Sequence, residues 1–395
     1  MNVYYYQNGS FKVYNGEVIE NPRFKPKSGF ELPKTYEISD DGLKKYHKNL
    51  TQWYEEINQH QKLSKRCYSN DSAITYMFFS QLRGDKEIEY DTITYDESTW
   101  FDKCYKSGLI YGKKGDYENV NSYDFTKFYS SILGGYNTGR EIPITEGIKK
   151  TITKLPEKLK DLQYGIYRVS IKSDNPDIKA IYSFSKFNHY THIDIQYAGF
   201  LKSRGYIDSI ELIVDDKPNA LVYDKLIKTQ KIFKRYVGVF TDLSLKYPKN
   251  KLLKAMLSRL WGRLMKKNDP KSFTKEQLFM MDENELSKWV SVKEKYIYDE
   301  EDYTKQPTFI AYMVNSKSMY QYNLRLQPFL SSHARKKMGN KIINNFDDII
   351  RVQQDGVIFK NTESTINLDK GEFIIDDKYH NKNVSIINSK KVKFF

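Results

Sequence analysis

Cysteine is scarce in this chain. Cys67 and Cys104 are the only two among 395 residues, and they lack the paired spacing of a disulfide framework or a zinc cluster. That usage fits a reducing, intracellular setting. A bilayer-spanning run of about 18 apolar residues is also missing, and the opening Met1 to Gln7 (MNVYYYQ) has neither the basic nor the apolar region of a signal peptide. The expectation is a soluble protein, not exported by that route, with no membrane partner. The low-hydrophobicity, high-charge profile of a disordered chain is absent too, since 39% of residues are hydrophobic and 29% charged. No internal repeat or low-complexity tract is visible.

Positive charge and tyrosine are abundant. Lys plus Arg outnumber Asp plus Glu by 64 to 50, a formal charge of +14, which suits a polyanionic partner more than a neutral small molecule. The 33 Tyr and 22 Phe set flat rings among the cations. Some rings could stack on bases, although most such rings fill cores. The length exceeds one compact domain, so two or three cores are expected.

Residues 1 to about 95 mix short aromatic strands with a polar helical stretch at Asp41 to Ser64, interrupted early by Pro22, Pro26 and Pro33. From about 100 to 220, strand-like runs such as Gly165 to Ile171 and Ile210 to Val214 alternate with helical stretches. Between Asn250 and Lys267, the spacing of Leu253, Met256, Leu257, Leu260, Trp261 and Leu264 predicts a basic amphipathic helix. Residues 270 to 305 are charged and helix-prone. Strands and a helix follow Gln306-Pro307, and Gly371 to Phe395 is strand-like again.

Two acidic residues stand where sites are built. Val120 to Tyr123 reads as a strand that turns helical after Asp124, although an Asp there also serves as a helix N-cap. Asp355-Gly356 lies between two strand-like runs, where the dipeptide closes tight hairpins through positive φ, equally at home in a plain surface turn. His189, His192 and Asp194 offer metal-ligand types, but in a β-rich run their spacing puts the two imidazoles on opposite faces.

Taken together and in order, Asp124, the helix at 250–267 and Asp355 resemble motifs A, B and C of family B DNA polymerases. Motif A, Asp-x-x-Ser-Leu-Tyr-Pro, corresponds to Asp124 to Ser130, keeping Asp124 and Tyr129. Motif B, Lys-x-x-x-Asn-Ser-x-Tyr-Gly, corresponds to Lys254 to Gly262, keeping Lys254 and Gly262 with Trp261 in place of Tyr; Lys254, Ser258 and Trp261 are expected on one helix face. Motif C, Asp-Thr-Asp-Ser, corresponds to Gln353-Gln354-Asp355-Gly356, a form that has lost its first carboxylate. The resemblance covers roughly residues 100 to 395 and implies a template-directed DNA polymerase. Asp124 and Asp355, with Phe125, would hold two Mg²⁺ ions, with Mn²⁺ as a substitute. Phe125, Tyr129, Lys254, Ser258, Trp261 and Gly262 would contact the incoming dNTP, the lysine lying along its phosphates.

Further segments resemble the protein-primed, viral and linear-plasmid branch. Tyr105-Lys-Ser-Gly108 is similar to its Tyr-x-Gly-Gly/Ala motif, His333-Ala-Arg335 to an Ala-Arg helical signature before motif C, and Lys391 or Lys393 to a Lys-x-Tyr primer contact. Tyr105, Gly108, Arg335, Lys391 and Lys393 would therefore meet DNA. Cys67 to Asp71 resembles the last of three exonuclease motifs, and no suitably followed Asp-x-Glu precedes it.

The implied fold is α+β: a palm of antiparallel sheet with helices, helical fingers, and a reduced N-terminal lobe. Its divisions fall at 1–95 (lobe, exonuclease remnant), 96–249 (palm with an insertion), 250–305 (fingers and helical insertion) and 306–395 (palm continuation, thumb truncated or absent). Implied partners are template-primer DNA, dNTPs, a terminal protein primer, and a separate exonuclease or thumb subunit. DNA replication without proofreading is expected, in host cytoplasm or nucleus, or in mitochondria for a plasmid-borne gene. The competing expectation is a catalytically inactive or split relative serving as a DNA-binding scaffold or subunit.

Overall fold

Strands and helices are mixed along the described residues, and each compact part of the protein draws on segments far apart in sequence. The computed structural model describes residues 2–8, 10–20, 29–32, 37–60, 67–68, 71–104, 108–125, 127–134, 140–182, 185–268, 271–287, 289–298, 305–313, 320–362, 373–389 and 391–394. In chain order these form β1 (Val3–Gln7), β2 (Ser10–Tyr14), β3 (Val18–Glu20), β4 (Gly29–Glu31), α1 (Asp40–His60), β5 (Cys67–Tyr68), α2 (Asp71–Leu82) and α3 (Tyr95–Cys104). Next come β6 (Ile110–Gly112), β7 (Gly115–Phe125), α4 (Phe128–Leu133), β8 (Glu141–Pro143), β9 (Ile148–Lys150), β10 (Gly165–Lys172), α5 (Pro176–Tyr182), β11 (His189–Thr191) and α6 (His192–Ser203). The chain continues through β12 (Ser209–Leu212), β13 (Ala220–Val222), β14 (Leu226–Lys228), α7 (Thr229–Lys246), α8 (Lys251–Leu264), β15 (Lys271–Thr274), α9 (Lys275–Phe279) and α10 (Glu283–Leu286). It ends with β16 (Trp289–Tyr298), β17 (Lys305–Met313), α11 (Gln327–Ile342), β18 (Ile349–Gln353), β19 (Gly356–Phe359), β20 (Phe373–Ile375), β21 (Lys382–Asn388) and β22 (Lys391–Phe394).

One unit comprises Met1–Glu87, Leu133–Gly139 and Thr229–Leu264. Its sheet runs β3-β2-β1-β4-β5. A tight hairpin joins β1 to β2, with Gln7 opposite Ser10 and Asn8 at φ 51°, a left-handed conformation that asparagine tolerates well. The helices meet through rings and a few polar contacts. Phe79 of α2 stacks on Phe233 of α7 at 5.2 Å, and the Tyr236 hydroxyl donates to the Met256 carbonyl of α8 at 2.8 Å. All six apolar residues that the spacing placed on the 250–267 helix are buried. Each such side chain removed from water contributes on the order of 2 kcal/mol, so one face of α8 accounts for much of its docking.

The other unit comprises Ile88–Ile132, Arg140–Lys228 and Met265–Phe395. Its largest sheet has the order β22-β21-β7-β19-β18-β6, with β20 also on β7. A second sheet, β11-β10-β13-β9 with β12 on β10, carries α6 beside it. The charged 270–305 stretch departs from the expected helical insertion. Apart from short α9 and α10, it pairs as an antiparallel sheet, β15-β17-β16. The reason lies in the aromatic and β-branched residues of Trp289–Tyr298 (WVSVKEKYIY), whose strand preference outweighs the helix-prone lysines and glutamates between them.

Among the described residues of this unit, two ion pairs are buried: Arg325–Glu97 and Arg335–Asp194. Arg325, fully buried, donates from Nε to Glu97 Oε1 at 2.7 Å and from Nη2 to Oε2 at 2.9 Å, while its remaining donors reach the carbonyls of Asp91 and Thr92. The Tyr223 hydroxyl adds a third bond to Glu97 at 2.8 Å. Removing one member of such a pair strands the other charge in the core, at about 3–5 kcal/mol. Glu97→Gln is therefore expected to destabilise the protein by about 3 kcal/mol in urea unfolding, and Glu97→Leu with Arg325→Met together by clearly less.

Candidate active site

The site grows from the pairing of β7 with β19. Gly356 lies opposite Asp124, Val357 opposite Tyr123 and Ile358 opposite Ser122. On its other edge β7 pairs with β20, which sets Ile374 opposite Asp124. Asp124 thus sits near the end of a strand bordered on both sides, in line with the strand end expected from sequence. β18 and β19 form the expected hairpin, but the strained position is not Gly356. Gln354 carries the positive φ, at 59°, and its N–H donates to the Leu109 carbonyl at 2.9 Å.

One N–H ties the two acids together. The Phe125 amide donates to the Asp355 carbonyl at 2.8 Å and also to Asp124 Oδ1 at 3.1 Å. The Asp124 carboxylate is thereby turned toward the backbone of the Asp355 turn. A Cβ added to Gly356 would lie 3.9 Å from Asp124 Oδ1, so the absent side chain leaves space beside that oxygen. Burial pushes the Asp355 carboxyl above its usual value, only partly offset by its own backbone N–H.

Other expected residues gather at the same turn. A Cβ on Gly108 would come within 3.2 Å of Gln354 Cα and 3.4 Å of the Tyr129 hydroxyl, so this glycine, the turn and the motif A tyrosine pack together. Phe125 is buried between Phe128 and Phe373, each at 5.0 Å. Sequence reasoning overlooked Lys337, whose Nζ lies 4.4 Å from the Phe125 ring centroid and donates to Ser131 Oγ at 2.8 Å, tying α11 to α4. The basic run after Arg335 was the available signal.

Several residues stand elsewhere. Tyr105 lies outside the described residues. Lys391 and Lys393 are exposed on β22, the outer strand of the sheet. Arg335 is 2% exposed and committed internally: Nε donates to Asp194 Oδ1 at 3.0 Å and Nη2 to Oδ2 at 2.9 Å, with Ser332 Oγ also on Oδ2 at 2.6 Å. It positions α11 against α6 rather than facing solvent.

The motif B residues belong to the other unit. Lys254, Ser258 and Gly262 are exposed along α8, and the expected companion Trp261 is not with them. Trp261 is 4% exposed and packs edge-on against Phe233 at 5.5 Å. On a 3.6-residue helix it stands only about 20° from Lys254, but at the border of the apolar stripe a large ring turns inward while a lysine stem extends outward.

The histidines are structural. His189 lies in β11 against Trp100, and His192 opens α6 with its ring 4.2 Å from Tyr164, so the expected continuous strand ends at Thr191. Burial pushes both imidazoles down to about 4. Among the described residues no group of three or more His, Cys, Asp and Glu gathers to hold a metal. The acidic set is Asp124, near the end of β7, and Asp355, in the adjoining β18–β19 turn, two hard oxygen donors, one of them partly desolvated. That chemistry fits a hard divalent cation.

No model of a known protein family and no curated protein matches the chain. Solved structures do. Phi29 DNA polymerase complexed with single-stranded DNA superposes with a TM-score of 0.52 at 14% identity, over 90% of this chain and 59% of that one. Phi29 DNA polymerase with primer-template DNA gives 0.52 at 13%, and its orthorhombic crystal form 0.50 at 13%, with the same coverages. The chain spans little more than half the length of these neighbours. Its fold is α+β and polymerase-like, as the motifs implied. Among the described residues no helix is long and apolar enough to cross a membrane.

A carboxyl whose pKa is raised by folding binds protons more readily folded than unfolded, so its contribution to stability falls as pH rises above the usual carboxylate value. Asp355→Asn is thus expected to melt higher than wild type at pH 7 in metal-free buffer, by on the order of 1 °C. The gap should narrow as pH falls toward the usual carboxylate value, where protonation of the carboxyl relieves the penalty. A variant that melts lower at pH 7 would sink this account of Asp355.

Proposed function

We propose that this chain is the palm-and-fingers portion of a template-directed DNA polymerase that adds deoxynucleotides to a DNA or protein primer. The observation that carries the reading is the register of β7 against β19, which brings Asp124 and Asp355 to adjoining positions through one shared N–H. The likeness of fold to Phi29 DNA polymerase supports it.

In this reading Asp124, Asp355 and the Phe125 backbone carbonyl hold two Mg²⁺ ions. Bound there, the ions would lower the pKa of a primer 3′-hydroxyl and neutralise the departing pyrophosphate. The chain's own residues do the rest. Desolvation of Asp355 favours a cation over a proton-free, unpaired carboxylate. Tyr129, packed on Phe128 at 5.2 Å, offers a ring edge beside Gly108 and the turn for the sugar of an incoming nucleotide. Exposed Lys254 supplies a mobile cation for phosphates, and open space over Gly262 admits close backbone approach. Protein priming belongs to the same proposal.

A second reading rests on Gln353, exposed where the motif has its first carboxylate. If that loss abolishes chemistry, the chain is an inactive scaffold or one part of a split enzyme, and its DNA binding is indifferent to Mg²⁺.

The test is primer extension on a short labelled template with Mg²⁺ and dNTPs. Wild type should extend, with Asp124→Ala and Asp355→Ala each slower by about a thousandfold or more. Lys254→Ala should raise KM for dNTP by about tenfold with a smaller change in kcat. Undiminished extension by both aspartate variants would refute the proposal, and no extension by any protein, with Mg²⁺-independent DNA binding retained, would favour the second reading.

A further inference from the structure

Away from Asp124 and Asp355, a cavity of about 430 Å³ opens between α6, α11 and the 3₁₀ turn Ile343–Asp348. Its size is that of an ordinary small-ligand pocket. α6 and its C-cap line it with a row at helical spacing: Tyr197 and Phe200 on the helix, then Arg204 just past its end. The two rings lie nearly parallel, 23° apart with centroids at 5.8 Å, and the Arg204 guanidinium sits 4.8 Å from the centre of Phe200. α11 supplies Lys336 and Asn340 from the opposite wall.

Three features separate this cavity from a packing defect. Tyr197 is buried but Phe200, next in the row, is exposed, so an aromatic face is held at the rim where it loses contact with the core. Both ionisable side chains with full charge in the lining, Arg204 and Lys336, are cationic, and no carboxylate answers them within the lining. Amides complete the wall: Gln196, Asn340 and Asn344, the last accepting from Arg204 Nη1 at 3.4 Å. Gly339 makes the row possible, since a Cβ there would strike the Tyr197 hydroxyl at 2.4 Å. The helix was left bare at that point and the ring lies across it.

We propose that this cavity binds a nucleotide unit, its base laid against the Phe200–Arg204 row, its phosphate between Arg204 and Lys336, and its base edge read by the amides. Stacking on a ring and a guanidinium plane is tolerant of sequence, and two cations without an acid select a phosphate. A duplex hides its base faces, so the unit comes from a single strand or from a free nucleotide. This site is independent of the polymerase reading, because none of its residues belongs to the acidic turn.

The experiment uses the full chain without divalent metal, where incorporation cannot occur. Fluorescence anisotropy measures binding of a labelled oligo-dT, a labelled duplex of equal length, and competition by dTMP. Phe200→Ala is expected to weaken oligo-dT binding about five- to tenfold and to leave duplex binding unchanged; Phe200→Tyr should restore it. Arg204→Gln should weaken it and lower the salt dependence by about one phosphate contact. Competition by dTMP that depends on Phe200 would identify a free nucleotide as the occupant; its absence would identify the single strand. Crosslinking of 5-iododeoxyuridine oligonucleotide should map to Tyr197 or Phe200. Oligo-dT binding and dTMP competition both unaffected by Phe200→Ala and Arg204→Gln, or equal losses on duplex and single strand, would overturn the proposal.

Discussion

The two acids owe their proximity to a single backbone amide. Strand register alone brings Gly356 opposite Asp124, and a register fixes backbones rather than side chains. The Phe125 N–H supplies the missing constraint by serving the Asp355 carbonyl and the Asp124 carboxylate together. Around it every neighbour reduces freedom: β20 closes the second edge of β7, the Phe125 ring is wedged between Phe128 and Phe373, and Gly108 allows the Gln354 turn to settle against Tyr129. The result is one acid at a strand end and one in a tight hairpin turn hydrogen-bonded to that strand, a more rigid platform than a long loop for any chemistry that needs fixed oxygens.

Positive charge is divided between two tasks. Arg325 and Arg335 are buried and hydrogen-bonded to Glu97 and Asp194, so they organise the interior of their unit and add nothing to the outer field. Lys254, Lys391, Lys393 and Arg204 are exposed. These four cations are therefore carried at the surface, while the buried ion pairs use the fork geometry that arginine has. The same division separates Arg335 from the DNA contact that its sequence neighbourhood implied.

Much of this was legible because it depends on local period. The α8 face, the strand ending near Asp124 and the hairpin at Asp355 each follow from spacing within a dozen residues, and the structure contains all three. What escaped depends on distant partners. Arg335 finds Asp194, 141 residues away, and no pattern around His333-Ala-Arg335 announces it. Trp261 was assigned by angle to the face of Lys254, and Phe233 of a different helix decided otherwise. The 270–305 stretch was misread by composition, because its charges are frequent enough to mask the aromatic and β-branched residues that pair.

The substitution at Gln353 has an electrostatic side that the motif comparison does not reveal. Asp355 already bears a desolvation penalty that disfavours its ionised form. An acid at 353, two residues before Asp355 in the same hairpin, would add like charge beside that partly desolvated carboxyl. Glutamine keeps the polarity and removes that repulsion. The hairpin can then form on its own hydrogen bonds. An acid at that position would instead set like charge against like charge within one tight turn, at a cost to the folded hairpin.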